Sequence, residues 1–293
     1  MERMLTISIP TYNRPEQIKR QVEILVPQLT DEVQLLILDN HSDIAVASLL
    51  TDLEKAKLTL LRNQFNIGAD ANIAKCVDLC KTPWLLILGD DDPMSDDAVQ
   101  TIIDDIKSAD DKTIFLNYDP KLNVKGRGLD CFVNLPPERY WCLFWMSGCV
   151  YNIELLKDSM YTYFGAISTM QPNIVLLVNA LTKHPDYGFW ITGKNIHREA
   201  GLDIGWSRDS FIYASLFVFD ILKIYKEQLK GTLFKSITGL LYRHVVTISK
   251  KERQKSHSLS LIFNIAKRRG IVNTVRYDMY WLTRSFYHVM KGK

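Results

Sequence analysis

Short apolar runs alternate with longer stretches in which apolar residues return every three or four positions across roughly the first 120 residues. Residues 4–9, MLTISI, read as a buried strand that stops at Pro10. Asn13 then reads as a cap and Pro15 sits in a first helical turn, with Ile18, Val22 and Leu25 at helical spacing. A second run, VQLLIL at 33–38, ends at Asp39 and Asn40; residues 44–55 read as one helix, and a third run covers 58–61. A helix over 70–79, a strand over 84–88, a helix over 95–106 opened by Ser95, and a strand over 113–117 continue the series. Strands alternating with helices in this way predict an α/β fold, a mostly parallel sheet with helices on both faces. Ligands in such sheets bind beyond the strands' carboxyl ends.

The polar residues at those ends are Thr11, Asn13 and Arg14 after the first strand, Asp39 and Asn40 after the second, and Asn63 and Asn66 after the third. The fourth run, residues 84–88, is broken by Gly89 and followed at once by Asp90, Asp91 and Asp92, with Pro93 preventing any extension of the strand. Adjacent carboxylates repel one another, and folding them together is costly unless a cation compensates. The turn therefore reads as a metal site, whereas Asp96 and Asp97 read as acids favoured by a helix N-terminus. No G-x-G-x-x-G follows the first strand and no G-x-x-x-x-G-K-[ST] occurs, which argues against dinucleotide dehydrogenases and P-loop enzymes.

The chain has 293 residues, 47% of them hydrophobic, enough for a sizeable core. MERMLTISIP enters a strand pattern without a signal segment, and the best apolar window, 211–225, is interrupted by Asp220 and Lys223. A cytoplasmic protein without a membrane span is expected. The five cysteines form no CxxC pair, and neither zinc nor disulfides are assigned. Charge is distributed unevenly. Residues 220–293 carry 16 Lys and Arg against 4 Asp and Glu, so +12 of the net +3 lies there and residues 1–219 hold −9.

ISIPTYNR at the start, ILDNHSD after the second strand, RNQFNIGADAN after the third and LGDDD after the fourth together resemble the family 2 glycosyltransferases, in order and spacing. The wording of NIGADAN and LGDDD is most similar to bacterial O-antigen and capsule sugar transferases of the abequosyltransferase type. The resemblance implies the GT-A fold, a nucleotide diphosphate sugar donor and a Mn²⁺ or Mg²⁺ ion. Carried over by motif, Pro10, Thr11, Asn13 and Arg14 lie along the nucleotide and diphosphate, and Asp39 accepts a hydrogen bond from the base. Asn66 and Gly68 bring backbone close to the nucleotide, and Asn72 adds a polar contact. Asp90, Asp91 and Asp92 form the catalytic acid turn, with Asp90 toward the ribose and metal and Asp92 on the metal. The Arg that many relatives carry in the third block is absent, which leaves the diphosphate leaning on the metal.

Farther along, residues 144–158 resemble the Ser-Gly segment on the acceptor side, pointing to Ser147 and Gly148. Where inverting relatives carry an acidic pair this chain has Met170-Gln171-Pro172-Asn173, and neither Gln nor Asn serves as a general base. Either another acid substitutes, with Asp119, Glu154, Asp158 and Glu199 as candidates, or configuration is retained by a front-face route. Gln171 and Trp206 are placed on the acceptor side, and His197 falls where relatives often carry a metal- or diphosphate-binding His.

The expected organisation is a GT-A domain over 1–210, donor-binding over about 1–120 and acceptor-binding over about 121–210, followed by a basic helical region over 211–293. Amphipathic basic helices suit an anionic membrane surface, and a homodimer interface is the other reading. The function implied is metal-dependent transfer of a sugar to a hydroxyl of a glycan or polyprenyl-linked glycan in bacterial surface polysaccharide synthesis, at the inner membrane face, with no nucleic acid partner. Two alternatives stand beside it, a non-catalytic nucleotide-sugar-binding scaffold and, less well supported, a sugar-phosphate nucleotidyltransferase.

Overall fold

The computed structural model describes residues 3–130 and 141–198, together with positions 217, 218, 220, 221 and 267. The chain divides into two compact units, residues 1–131 with 141–205 and residues 132–140 with 206–293. The few described positions of the second unit are helical. The rest of the region read from sequence as basic helices, and Trp206 and Glu199 with it, lies outside the described residues.

The first unit opens with β1 (Leu5–Thr11), α1 (Pro15–Leu25) and β2 (Val33–Asp39). Two single-turn helices, α2 (Val46–Leu49) and α3 (Asp52–Lys55), precede β3 (Thr59–Arg62), α4 (Ala69–Asp78), β4 (Trp84–Ile87), α5 (Ala98–Ser108) and β5 (Thr113–Asn117). The second half adds β6 (Asn123–Arg127), β7 (Cys149–Asn152), a helix at Pro172–Lys183 and β8 (Gly188–Thr192). All eight strands form one sheet in the order β3-β2-β1-β4-β7-β5-β8-β6. The β3, β2, β1 and β4 strands run parallel, and β5 pairs parallel with β8. The β7 strand is antiparallel to β4 and β5, and β6 is antiparallel to β8. This is the α/β architecture that the apolar runs predict, with β7 and β6 as antiparallel departures from the mostly parallel sheet they imply.

Alternation along β1 shows why the strand is central. Leu5, Ile7 and Ile9 face a core closed by Ile18, Val22 and Leu25 of α1 and by Val99, Ile102 and Ile103 of α5. Thr6 and Ser8, on the other face, are equally buried. A strand buried on both faces fixes its register tightly.

Three local expectations change. Residues 44–55 form two short helices because Thr51 and Glu54 build a capping box, each side chain bonding the other's backbone N–H, and a box starts a helix rather than continuing one. Helix α1 is entered through Arg14, not Asn13, which takes a left-handed φ of 52°. Helix α5 starts at Ala98 after Asp97, since Ser95 is drawn away by its backbone bond to Ile196. No described helix is long and apolar enough to cross a membrane.

Candidate active site

Parallel register brings the strand ends together. Thr11 pairs with Asp39 and Asp39 with Arg62, while Ser8 pairs with Ile87, so Asp90 follows β4 at the level where Thr11 ends β1. Thr11 Oγ1 accordingly donates to Asp90 Oδ2 at 2.7 Å. Arg14 Nη1 lies 2.9 Å from Asp90 Oδ1 and 2.9 Å from Asp91 Oδ2. Compensation that the sequence assigns to a metal is thus supplied, for two of the three acids, by a guanidinium of the chain itself. Burial lifts the Asp90 carboxyl above its ordinary range, opposed by the Thr11 hydrogen bond and the Arg14 charge. Partial burial works against the Arg14 charge, yet its bonds to Asp91 and Asp90 raise it overall.

Asp92 turns to other partners. Its Oδ2 accepts from Ser147 Oγ at 2.5 Å and from Trp145 Nε1 at 3.1 Å. The Gly89 N–H donates to the same Ser147 hydroxyl at 2.9 Å. A Cβ on Gly89 would lie 2.9 Å from Asp92 Oδ2 and 3.0 Å from Asp91 Oδ1, so any side chain there would push on both carboxylates. Beneath it, Gln21 is fully buried and its Nε2 donates to the carbonyls of Gly89 (3.0 Å) and Asp92 (2.7 Å).

His197 joins the turn through a short antiparallel bridge to Met94, with Ser95 N–H bonding Ile196 O and Arg198 N–H bonding Pro93 O. Its Nε2 lies 2.8 Å from Ser147 O, and its ring packs 4.3 Å from the Trp145 ring. Nδ1 is buried with no hydrogen-bond partner. Burial lowers the imidazole pKa, opposed by the Ser147 carbonyl and by both the charge and the backbone carbonyl of Asp92.

Around the β2 and β3 ends the side chains hold one another. Asp39, 1% exposed, accepts from Ser42 N–H (2.8 Å), Val46 N–H (3.3 Å) and Arg62 Nη1 (2.9 Å). Asn66 accepts from Asn40 and from Gly68 N–H, both at 2.8 Å. Asn72 is buried, accepts from Asn63 at 2.8 Å and donates to Leu38 O at 3.2 Å, and Lys75 donates to Asn63 at 2.7 Å. Gly68, at φ +84°, leads into α4 with open space where a side chain would be. Asn13 ties the first two loops together, donating through Nδ2 to Asp43 and through its backbone N–H to Ser42. Pro10 does not end β1: it pairs with Leu38 inside the strand, which continues to Thr11.

The structure therefore brings Thr11, Arg14, Asp90, Asp91, Asp92, Ser147 and His197 into one cluster, and Asp39, Asn66 and Asn72 into a second network at the adjacent strand ends. Gly148 backs the first, with Trp145 only 2.9 Å from where its Cβ would stand. Gln171 is buried with Oε1 unpartnered, after Met170 at a left-handed φ of 55°. Among the acids weighed as a base, Glu154 pairs with Lys157 and Asp158 with His184, both exposed. Asp119 is buried next to Tyr118, whose N–H bonds Gly148 O. Gln21 and Trp145 escape a reading by motif, although a Gln on the apolar stripe of α1 is itself a signal.

Among the described residues no three His, Cys, Asp or Glu side chains converge as ligands for a metal ion. Asp90 in particular gives both oxygens to Thr11 and Arg14. Asp92 and the orphaned Nδ1 of His197 nevertheless suit a hard cation that completes its shell with phosphate oxygens and water.

Residues 6–128 match the family model described as Glycosyl transferase family 2. An Uncharacterized glycosyltransferase of Haemophilus influenzae is 32% identical over 89 residues, which span 30% of this chain and 30% of that relative. Among solved structures, S. aureus TarS 1–349 superposes with a TM-score of 0.65 at 12% identity, over 90% of this chain and 80% of the other. Its complex with UDP-GlcNAc gives 0.63 at 12% identity over the same shares of 90% and 80%. Mannosyltransferase PcManGT from Pyrobaculum calidifontis, in complex with GDP-Man and Mn²⁺, gives 0.55 at 12% identity over 94% and 85%. At such identities the likeness is one of fold, and that fold is GT-A.

Proposed function

We propose that this chain, whose residues 6–128 match the family model described as Glycosyl transferase family 2, moves a sugar from a nucleotide diphosphate donor to a hydroxyl of a glycan acceptor. The observation that carries the reading is the convergence of four parallel strand ends, all within the matched residues, on the acid turn and its Arg14 clamp. Nucleotide sugars bound to TarS and PcManGT support the donor class, and the Mn²⁺ of PcManGT supports a divalent ion.

Asp92 and His197 would hold that ion. When bound it supplies positive charge against the diphosphate as the glycosidic bond to the donor breaks. Arg14 keeps Asp90 and Asp91 in a fixed array facing the donor. Asp39 retains lone-pair capacity beyond its three donors and reads a base N–H. The Asn40, Asn63, Asn66 and Asn72 network stiffens the loop that backs the nucleotide. With no acid at 170–173, the acceptor proton falls to Asp119, a buried acid beside Tyr118, whose N–H bonds Gly148 O, or to the departing phosphate. Gln171 Oε1, an acceptor atom without a donor, suits an acceptor hydroxyl. The acceptor we favour is lipid-linked, in bacterial surface polysaccharide synthesis, with the +12 region at 220–293 resting on anionic headgroups.

The missing acid pair also favours a second reading, a nucleotide-sugar-binding subunit without catalysis. Thermal shifts with UDP, GDP, CDP and dTDP, each with and without Mn²⁺, test the site. One nucleotide should stabilise the protein only with metal, and Asp92→Asn should abolish that gain; no stabilisation by any of the four would count against a donor site. Turnover of the stabilising donor separates enzyme from binder.

A further inference from the structure

We propose that Ser147 is the positioning residue of the metal half of this site, its hydroxyl fixing the Asp92 carboxylate and its carbonyl fixing the His197 imidazole. The inference rests on the reading of Asp92 and His197 as the pair that holds the cation.

A serine hydroxyl has one proton and two lone pairs. With a carboxylate oxygen at 2.5 Å and a backbone N–H at 2.9 Å, the assignment is forced: the O–H donates to Asp92 Oδ2 and a lone pair accepts from Gly89. The carboxylate is thereby tied back to the end of the strand that delivers it. Trp145 donates to the same oxygen, so both donors engage Oδ2 and neither engages Oδ1.

The backbone of Ser147 acts on the imidazole. A carbonyl only accepts, so Nε2 of His197 carries the proton in the 2.8 Å bond to Ser147 O. In the neutral ring the available lone pair then sits on Nδ1, the buried nitrogen without a partner. The side chain and the carbonyl of one residue thus set the direction of a carboxylate and the tautomer of an imidazole that reach the site from chain positions about 100 residues apart. Ser147 is itself 1% exposed and Gly148 is pressed against Trp145, so neither support has room to turn. Partners of this kind orient metal ligands, and losing one costs about 10–100-fold in affinity.

The test uses the full chain and Mn²⁺ alone, the free ion counted by its EPR signal, for wild type, Ser147→Ala and Asp92→Asn, with thermal melts as the folding control. Alongside, ¹⁵N–¹H correlation of the metal-free wild type, assigned with His197→Ala, reports the tautomer. We expect Ser147→Ala to bind Mn²⁺ at least about 10-fold more weakly, and His197 to show Nε2–H in both wild type and Ser147→Ala, since the carbonyl remains. Undiminished Mn²⁺ affinity in Ser147→Ala, or an Nδ1–H tautomer in the wild type, overturns the proposal. If Ser147→Ala does not fold, the wild-type tautomer and the Mn²⁺ affinity of Trp145→Phe, expected to fall, decide it. Wild-type protein that binds no Mn²⁺ overturns the metal reading and this inference together. Binding that is lost in Asp92→Asn but kept in Ser147→Ala overturns the positioning role alone.

Discussion

A single methyl group at position 89 would press on two carboxylates at once. Its Cβ would stand 2.9 Å from an Asp92 oxygen already held by Ser147 and Trp145, so the side chain cannot swing clear without losing both donors. Gly89→Ala should therefore destabilise by about 1–3 kcal/mol and remove most of the metal-dependent thermal shift, as a comparison of melts with and without Mn²⁺ would show. Asp70, half-buried in the first turn of α4, shows how burial alone moves a carboxyl: desolvation raises its pKa above 3.8. A carboxyl with a raised folded-state pKa favours folding while protonated, and that advantage is lost as pH rises from the unfolded value through the folded one. Asp70→Asn should then match the wild-type melting temperature near pH 3.5 and exceed it increasingly toward pH 6. Equal melting temperatures across that range would refute the assignment.

Among the elements, α1 does more than cover the sheet. Ile18, Val22 and Leu25 form its apolar stripe, and Gln21 lies fully buried on the same stripe with its amide under the acid turn. Gln21→Leu keeps the volume but leaves the Asp92 carbonyl without its side-chain donor and the Gly89 carbonyl with only the Asp92 N–H. The cost should be about 1–3 kcal/mol, read from chemical denaturation, with no change in helix content. Legibility in the sequence divides at this scale. The first five strands are apolar runs bounded by breakers, and all five lie where periodicity puts them. The last three are harder. The edge strand β6, NVKGR, has no apolar run, because it pairs with β8 along one edge only and its side chains alternate between exposed and half-buried. The capping box at Thr51 and Glu54 was in plain view as T-x-x-E and divides what apolar spacing alone merges into one helix. Of the site, the acids and the polar strand ends were legible as strand-end residues. Arg14 as their clamp was not, because a pairing across 76 positions follows from register and not from local pattern.

For the molecule as a whole, charge is sorted along the chain, with −9 before residue 220 and +12 from residue 220 onward. If the basic part rests on headgroups, the full chain should co-sediment with phosphatidylglycerol-containing vesicles at low salt and release as ionic strength rises and the Debye length shrinks from about 30 Å at 0.01 M to about 8 Å at 0.15 M. Co-sedimentation insensitive to salt would rule out an electrostatic attachment. The acidic part poses a different problem, because the proposed donor is itself an anion that must come to three adjacent carboxylates. Arg14 changes the terms of that encounter. One guanidinium 2.9 Å from both Asp90 and Asp91 offsets one of the three negative charges and weakens the repulsion at the mouth without cancelling it. Before any ion is shared at Asp92, the chain has thus lowered part of the barrier to an anion's arrival, and the part that remains should shrink as dissolved salt screens it.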